Sequence, residues 1–159
     1  MERILKIGDP LLKQKTKKVE IIDKKIKELV KEMKRIMIEA GGVGLAANQI
    51  GENVSIFVAQ WKNKFYTLIN PEIVKNSNKI LLLEEACLSV PNKLGLVPRY
   101  QWVTVKGLNL NGKVKKIKAI GTLGQIFQHE IDHLNGILYI DKAEKVIEIE
   151  KIQKHENKS

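Results

Sequence analysis

The segment from Gly121 to Gly136 constrains this 159-residue chain more than any other. It reads Gly-Thr-Leu-Gly-Gln-Ile-Phe-Gln-His-Glu-Ile-Asp-His-Leu-Asn-Gly. Thr122 with Gln125 predicts a capping box, and Gly136 predicts the helix stop. Between them, His129-Glu130-Ile131-Asp132-His133 fits H-E-x-x-H. At about 3.6 residues per turn, the two histidines stand one above the other on a single helix face and can grip one metal ion. Glu130 lies about 100° round the helix, within reach of a water on that ion. Two histidines do not close such a site, because a catalytic metal usually takes about three protein ligands and leaves one position for water.

The rest of the chain predicts an α+β fold. Asp23 is a good N-cap, and Ile26, Leu29, Val30, Met33, Met37 and Ala40 follow at helical spacing up to Gly41-Gly42. Short β-type segments come next, at 54–59, 65–69, 80–83, 102–105, 108–110 and 114–120. Asn111-Gly112 predicts a two-residue hairpin turn. Val146, Ile149 and Ile152 predict a terminal helix over about 142–157. The expected architecture is mostly antiparallel sheet packed around a central metal-bearing helix, with an N-terminal and a C-terminal helix. The length suits one domain over 1–159.

Four residues or groups could supply the third ligand. A histidine six places after His133 would do so, but Tyr139 stands there. Glu148 or Glu150 is a second option, and His155 a third. The fourth is Cys87, the only cysteine, inside Glu84-Glu85-Ala86-Cys87-Leu88-Ser89. A thiolate suits soft or borderline metals such as iron(II) or zinc. Gly42-Val43-Gly44-Leu45-Ala46-Ala47-Asn48-Gln49 also fits G-x-G-x-x-A, yet a helix precedes it where a dinucleotide site needs a strand. Its glycines let backbone approach a ligand closely, and Gln49 offers an amide N–H for an oxyanion.

Three segments in this order, Gly42–Gln49, Glu85–Ser89 and His129–His133, resemble the G-x-G-L-A-A-x-Q, E-G-C-L-S and H-E-x-D-H motifs of the peptide deformylases. The similarity covers about residues 4–141. It implies that Cys87, His129 and His133 hold one divalent ion, iron(II) first, with zinc or nickel as alternatives. It implies a water activated at that ion and attacking the formyl group of N-formylmethionine on a new polypeptide, with formate released. Glu130 would be general acid/base, and the Gln49 amide and Leu88 backbone N–H would hold the oxyanion. Gly44, Leu88, Ile126 and Phe127 would line the substrate site. Asp132 and Arg99 would pair behind it. Ala86 stands where the family has glycine, a departure that would strain a left-handed loop.

Composition bounds the partners. Net charge is +10, and residues 1–35 carry 12 Lys/Arg against 6 Asp/Glu. That surplus reads mainly as solvated surface. Aromatic content of 5% argues against a stacking nucleic-acid binder. One cysteine, no signal-like start and no membrane-length apolar run predict a cytoplasmic protein of bacterial type. Expected partners are formylated nascent polypeptides and a transient ribosome contact, with no specific nucleic acid and no membrane.

Overall fold

The computed structural model describes residues 3–149. Helix α1 (Lys24–Glu39) starts where predicted, with Asp23 Oδ1 accepting from the Ile26 N–H at 3.0 Å. Two antiparallel sheets follow. The larger has the order β1 (Gly44–Ala46), β2 (Ile56–Trp61), β3 (Lys64–Asn76), β6 (Trp102–Leu108), β7 (Val114–Ile120). The smaller has the order β4 (Ile80–Cys87), β5 (Val90–Tyr100), β8 (Lys145–Glu148). Helix α2 (Thr122–Leu134) contacts both sheets, so the helix that carries the two histidines is central as expected.

Strand β2 shows why the larger sheet is covered twice. Successive side chains leave a strand on opposite faces. Ile56 and Val58 join the core formed with α1, whereas Phe57 and Ala59 join the core formed with α2. An unbroken apolar run of this kind needs both faces buried. A third, smaller core gathers Leu12, Val90, Val97, Leu138 and Tyr139 beneath the second sheet.

Helix α2 approaches β7 so closely that a Cβ on Gly124 would lie 2.6 Å from the Ala119 carbonyl oxygen. Its stop is the predicted one. Gly136, at φ 75, donates to the His133 carbonyl, and Ile137 donates to the Asp132 carbonyl, which together satisfy the last turn. Its start differs from expectation. The N-cap is Gly121, at φ 65, and Gln125 Nε2 reaches the Glu84 carbonyl at 2.8 Å instead of closing a capping box. That amide ties α2 to β4.

Two further expectations are corrected. The β6–β7 hairpin has Leu108 opposite Val114, and its Asn109–Gly112 turn is centred on Leu110 and Asn111 with Gly112 at φ 77. The two-residue hairpin turn lies instead at Lys62-Asn63, both at positive φ, between Trp61 and Lys64. The terminal helix is absent from the described part of its span. A four-residue helix, α3 (Tyr139–Lys142), precedes β8, in which Val146 pairs with Gly95 and Ile147 with Leu94. The free edge of β5 offers ladder hydrogen bonds that a short polar helix cannot match. Residues 150–157 of the predicted helix lie outside the described residues.

Candidate metal centre

Strand β4 and helix α2 bring three donors together. Glu85 and Cys87 are two apart in β4 and so share the face turned to α2. His129 and His133 are four apart in α2, with ring centroids 4.9 Å apart. Cys87 Sγ lies 3.2 Å from His133 Nε2. The ligand atoms of Cys87, His129 and His133 are all within 4.8 Å of one another. Donors at about 2.0–2.3 Å from a shared tetrahedral centre stand about 3.5 Å apart, close to the Cys87–His133 separation, so this set could hold a single zinc- or iron-sized cation. Glu148 sits in exposed β8, opposite Lys93, outside this group. Glu150 and His155 lie outside the described residues.

Behind the donors is a buried charge network. Glu85 Oε1 lies 2.8 Å from His129 Nδ1, which leaves Nε2 as the metal-facing nitrogen. Arg99, 3% exposed, grips Glu85 with two hydrogen bonds of 2.6 and 2.7 Å and reaches Asp132 at 2.6 Å. Lys142 also donates to Asp132, at 2.9 Å. Burial opposes the charge on Glu85, but Arg99 and His129 outweigh it and hold its pKa down at about 2. Burial keeps His133 well below the ordinary histidine range, so its ring stays neutral and free to ligate. The Asp132–Arg99 pair thus exists. Glu85 went unassigned from sequence, although its two-residue spacing from Cys87 was the available signal.

Glu130 is 4% exposed, and burial pushes its pKa up to about 7. Its Oε1 has no hydrogen-bond partner among the described residues. A buried oxygen of this kind needs one, and a water held in the cleft would supply it. The cleft has a volume of about 580 Å³, and Gly44, Gln49, Leu88, Ile126, His129 and Glu130 are among its walls. A Cβ on Gly44 would meet Glu130 Oε2 at 2.4 Å, so the glycine makes room for that carboxylate. Gln49 Nε2 donates to Ser89 Oγ at 3.0 Å and lies 3.7 Å from Cys87 Sγ. Its Oε1 accepts from the Ala46 N–H at 2.9 Å, which fixes the amide's orientation.

Phe127 does not belong to the cleft wall. It is fully buried edge-on to Phe57 and Tyr66, because one residue's 100° step turns it away from Ile126 and into the sheet core. Ala86 is exposed on the opposite face of β4 from Cys87 and also lines the cleft. It is not among the non-glycine residues with positive φ, so the family glycine's replacement brings no backbone strain.

Comparison with known proteins places these features in a family. The family model for polypeptide deformylase matches residues 1–148. A peptide deformylase of Halothermothrix orenii is 49% identical over 146 residues, which cover 91% of this chain and 94% of that protein. One from Dictyoglomus thermophilum is 46% identical over 143 residues, covering 90% and 93%. Among solved structures, the Thermotoga maritima peptide deformylase superposes with a TM-score of 0.87 at 36% identity, covering 90% of this chain and 97% of that one. The Synechococcus elongatus enzyme in complex with actinonin also gives 0.87, at 35% identity, covering 89% and 78%.

Proposed function

This chain belongs to the polypeptide deformylase family, and from that premise we propose how its own residues act. It is a peptide deformylase, a hydrolase that removes the N-formyl group from newly made proteins. One observation carries the residue assignment. Cys87, His129 and His133 converge within 4.8 Å, and Glu130, whose buried Oε1 has no hydrogen-bond partner among the described residues, lines the same cleft as Cys87 and His129.

Cys87, His129 and His133 are the ligands of one divalent ion per chain. Fe2+ is the proposed native ion, and Zn2+ or Ni2+ suits the same donors. When bound, such an ion supplies Lewis-acid chemistry, raising the acidity of water and polarising a carbonyl. Glu130 accepts the proton that the attacking water gives up as its oxygen bonds the formyl carbon. When the C–N bond breaks, Glu130 returns that proton to the methionine nitrogen, leaving formate and a free amino terminus. The Gln49 side-chain amide and the Leu88 backbone N–H donate to the developing oxyanion. Losing one such donor typically costs about 10²–10³ in kcat. Gly44, Leu88 and Ile126 border the methionine side chain, whereas Phe127 supports Ile126 from the core.

The substrates are nascent polypeptides beginning with N-formylmethionine, met during a transient ribosome contact. The chain works as one domain in a bacterial-type cytoplasm. No helix among the described residues is long and apolar enough to cross a membrane. A second reading rests on the 3.2 Å approach of Cys87 Sγ to His133 Nε2, the geometry of a thiol nucleophile and its base. Formate release from a formyl-Met peptide separates the two. Release that a chelator abolishes and Fe2+ restores supports the metal reading, and release that survives the chelator supports the thiol. Glu130→Gln is expected to keep its metal and lose about 10²–10⁴ in kcat. Full turnover in that variant would remove Glu130 from the role.

A further inference from the structure

Three hydrogen bonds from one short stretch of chain converge on the two loops that carry the oxyanion donors. The Leu5 N–H donates to the Gln49 carbonyl at 2.7 Å. Lys6 Nζ donates to the Leu88 carbonyl at 2.9 Å, and the Ile7 N–H donates to the Ser89 carbonyl at 2.8 Å. Leu88 and Ser89 are the two turn residues of the β4–β5 hairpin, closed by the Cys87–Val90 pair. Both carbonyls of that turn are therefore held from outside the hairpin, by residues about eighty positions away in sequence.

The stretch is itself anchored. Ile4 is buried in the core under α1, and Leu5 packs on the third core. The Lys6 carbonyl accepts from the Asp9 N–H at 3.1 Å, closing a turn in which Gly8 sits at φ 104. With its backbone fixed, Lys6 spans the rim of the cleft, which it lines. It pairs with a neutral carbonyl there, so the bond is charge-assisted without being an ion pair. The bonds from Leu5 and Ile7 are main-chain and independent of side-chain identity. The Lys6 bond is the one the sequence chose.

We propose that Lys6 is a positioning residue for deformylation: its ammonium, bonded to the Leu88 carbonyl, sets the turn that presents the Leu88 N–H to the oxyanion. The strap from Leu5 to Ile7 thereby fixes the separation of the Gln49 and Leu88 donors. This inference rests on the role given to Leu88 above. A misaligned donor weakens binding of the transition state more than that of the substrate, so the effect falls on kcat.

The test compares wild type, Lys6→Met and Lys6→Arg with saturating Fe2+ on a formyl-Met peptide. Lys6→Met is expected to lower kcat about fivefold or more, equivalent to ~1 kcal/mol. Its KM stays within about twofold and its Tm within about 3 °C, since the lysine is exposed and one surface bond contributes little to folding. Lys6→Arg, which keeps a donor, is expected to recover at least half of the lost rate. Unchanged kcat in Lys6→Met overturns the proposal. A raised KM with wild-type kcat also overturns it, and would make Lys6 a contact to the peptide. Lys6→Ala, assayed with and without added ethylammonium, reads the same bond if Lys6→Met folds poorly, with partial rescue of kcat expected and its absence counting against the role. Wild-type protein that releases no formate would instead overturn the assigned reaction, whatever Lys6 does.

Discussion

At the scale of single residues, the site depends on a few contacts that leave no slack. Gly44 is the clearest. Its φ is not positive, so nothing in backbone freedom demands glycine there. What demands it is the Glu130 carboxylate, with Oε2 at 2.4 Å, Cδ at 2.9 Å and Cγ at 3.0 Å from where a Cβ would stand. Gly44→Ala should therefore fold with metal bound, because the side chain that yields is a terminal carboxylate. The displaced Glu130 should lower kcat tenfold or more, since a shift of about 1 Å in a reacting group can cost about 10². Kinetics paired with metal content and Tm would check this, and an unchanged kcat would mean that the close approach has no catalytic meaning. From sequence, the Gly-rich stretch was legible as a place where backbone comes close to something. That the neighbour is Glu130 depends on packing between β1 and α2. The same holds for Glu85, whose partners His129 and Arg99 are 44 and 14 positions away.

At the scale of elements, local signals worked where local interactions decide. Asp23, the apolar stripe of α1 and the Gly136 stop all operate within one or two turns, and all appear as read. Strand β5 escaped because Pro91 and Pro98 argue against a central strand. The structure shows how it tolerates them. Among the described residues only Lys93–Leu96 pairs with β8, so neither proline stands opposite a described β8 residue. Over residues 145–148 strand replaces the expected terminal helix for the complementary reason, that a distant edge captured the segment as β8. The short α3 illustrates a cap that titrates. Burial raises the Asp141 carboxyl, but hydrogen bonds from Lys13 and the Leu138 N–H outweigh it, so its folded pKa is lowered. Such a group adds stability above its unfolded pKa of about 4, and that contribution fades as pH falls through the lower folded value. Asp141→Asn should then cost under about 1 kcal/mol at pH 7, because the pair is largely solvent-exposed. The cost should shrink as the pH is lowered below that unfolded value. Thermal melts of both proteins across that range would check the sign, and a gap that widens in acid would contradict it.

At the scale of the whole molecule, the proposed metal centre lies where the two sheets are joined. Cys87 comes from the smaller sheet, and the histidines come from the helix packed under the larger one. A bound ion therefore cross-links two layers, and its removal should be felt by the fold. Ligand at about 100 times its Kd adds about 2.7 kcal/mol, or roughly 5–10 °C in Tm for a chain of this size. Chelation should lower Tm by that order and added Zn2+ should restore it, while Cys87→Ala should show little metal-dependent shift. Differential scanning calorimetry on the two proteins, each with and without metal, would decide. A full shift in Cys87→Ala would mean that the ion is held elsewhere. By itself, the sequence determined the helix of His129 and His133, the pairing of those histidines on one face, the α+β class and, through three ordered motifs, the family. These follow from fixed periods of 3.6 and 2 residues and from motif spacing, which are properties of the chain alone. Tertiary structure alone decided which strand edge took residues 145–148, that Phe127 faces the core, that Gly44 shelters Glu130, and that Lys6 holds the Leu88 turn. Each of those depends on which surfaces meet after the chain closes, and no local period encodes that.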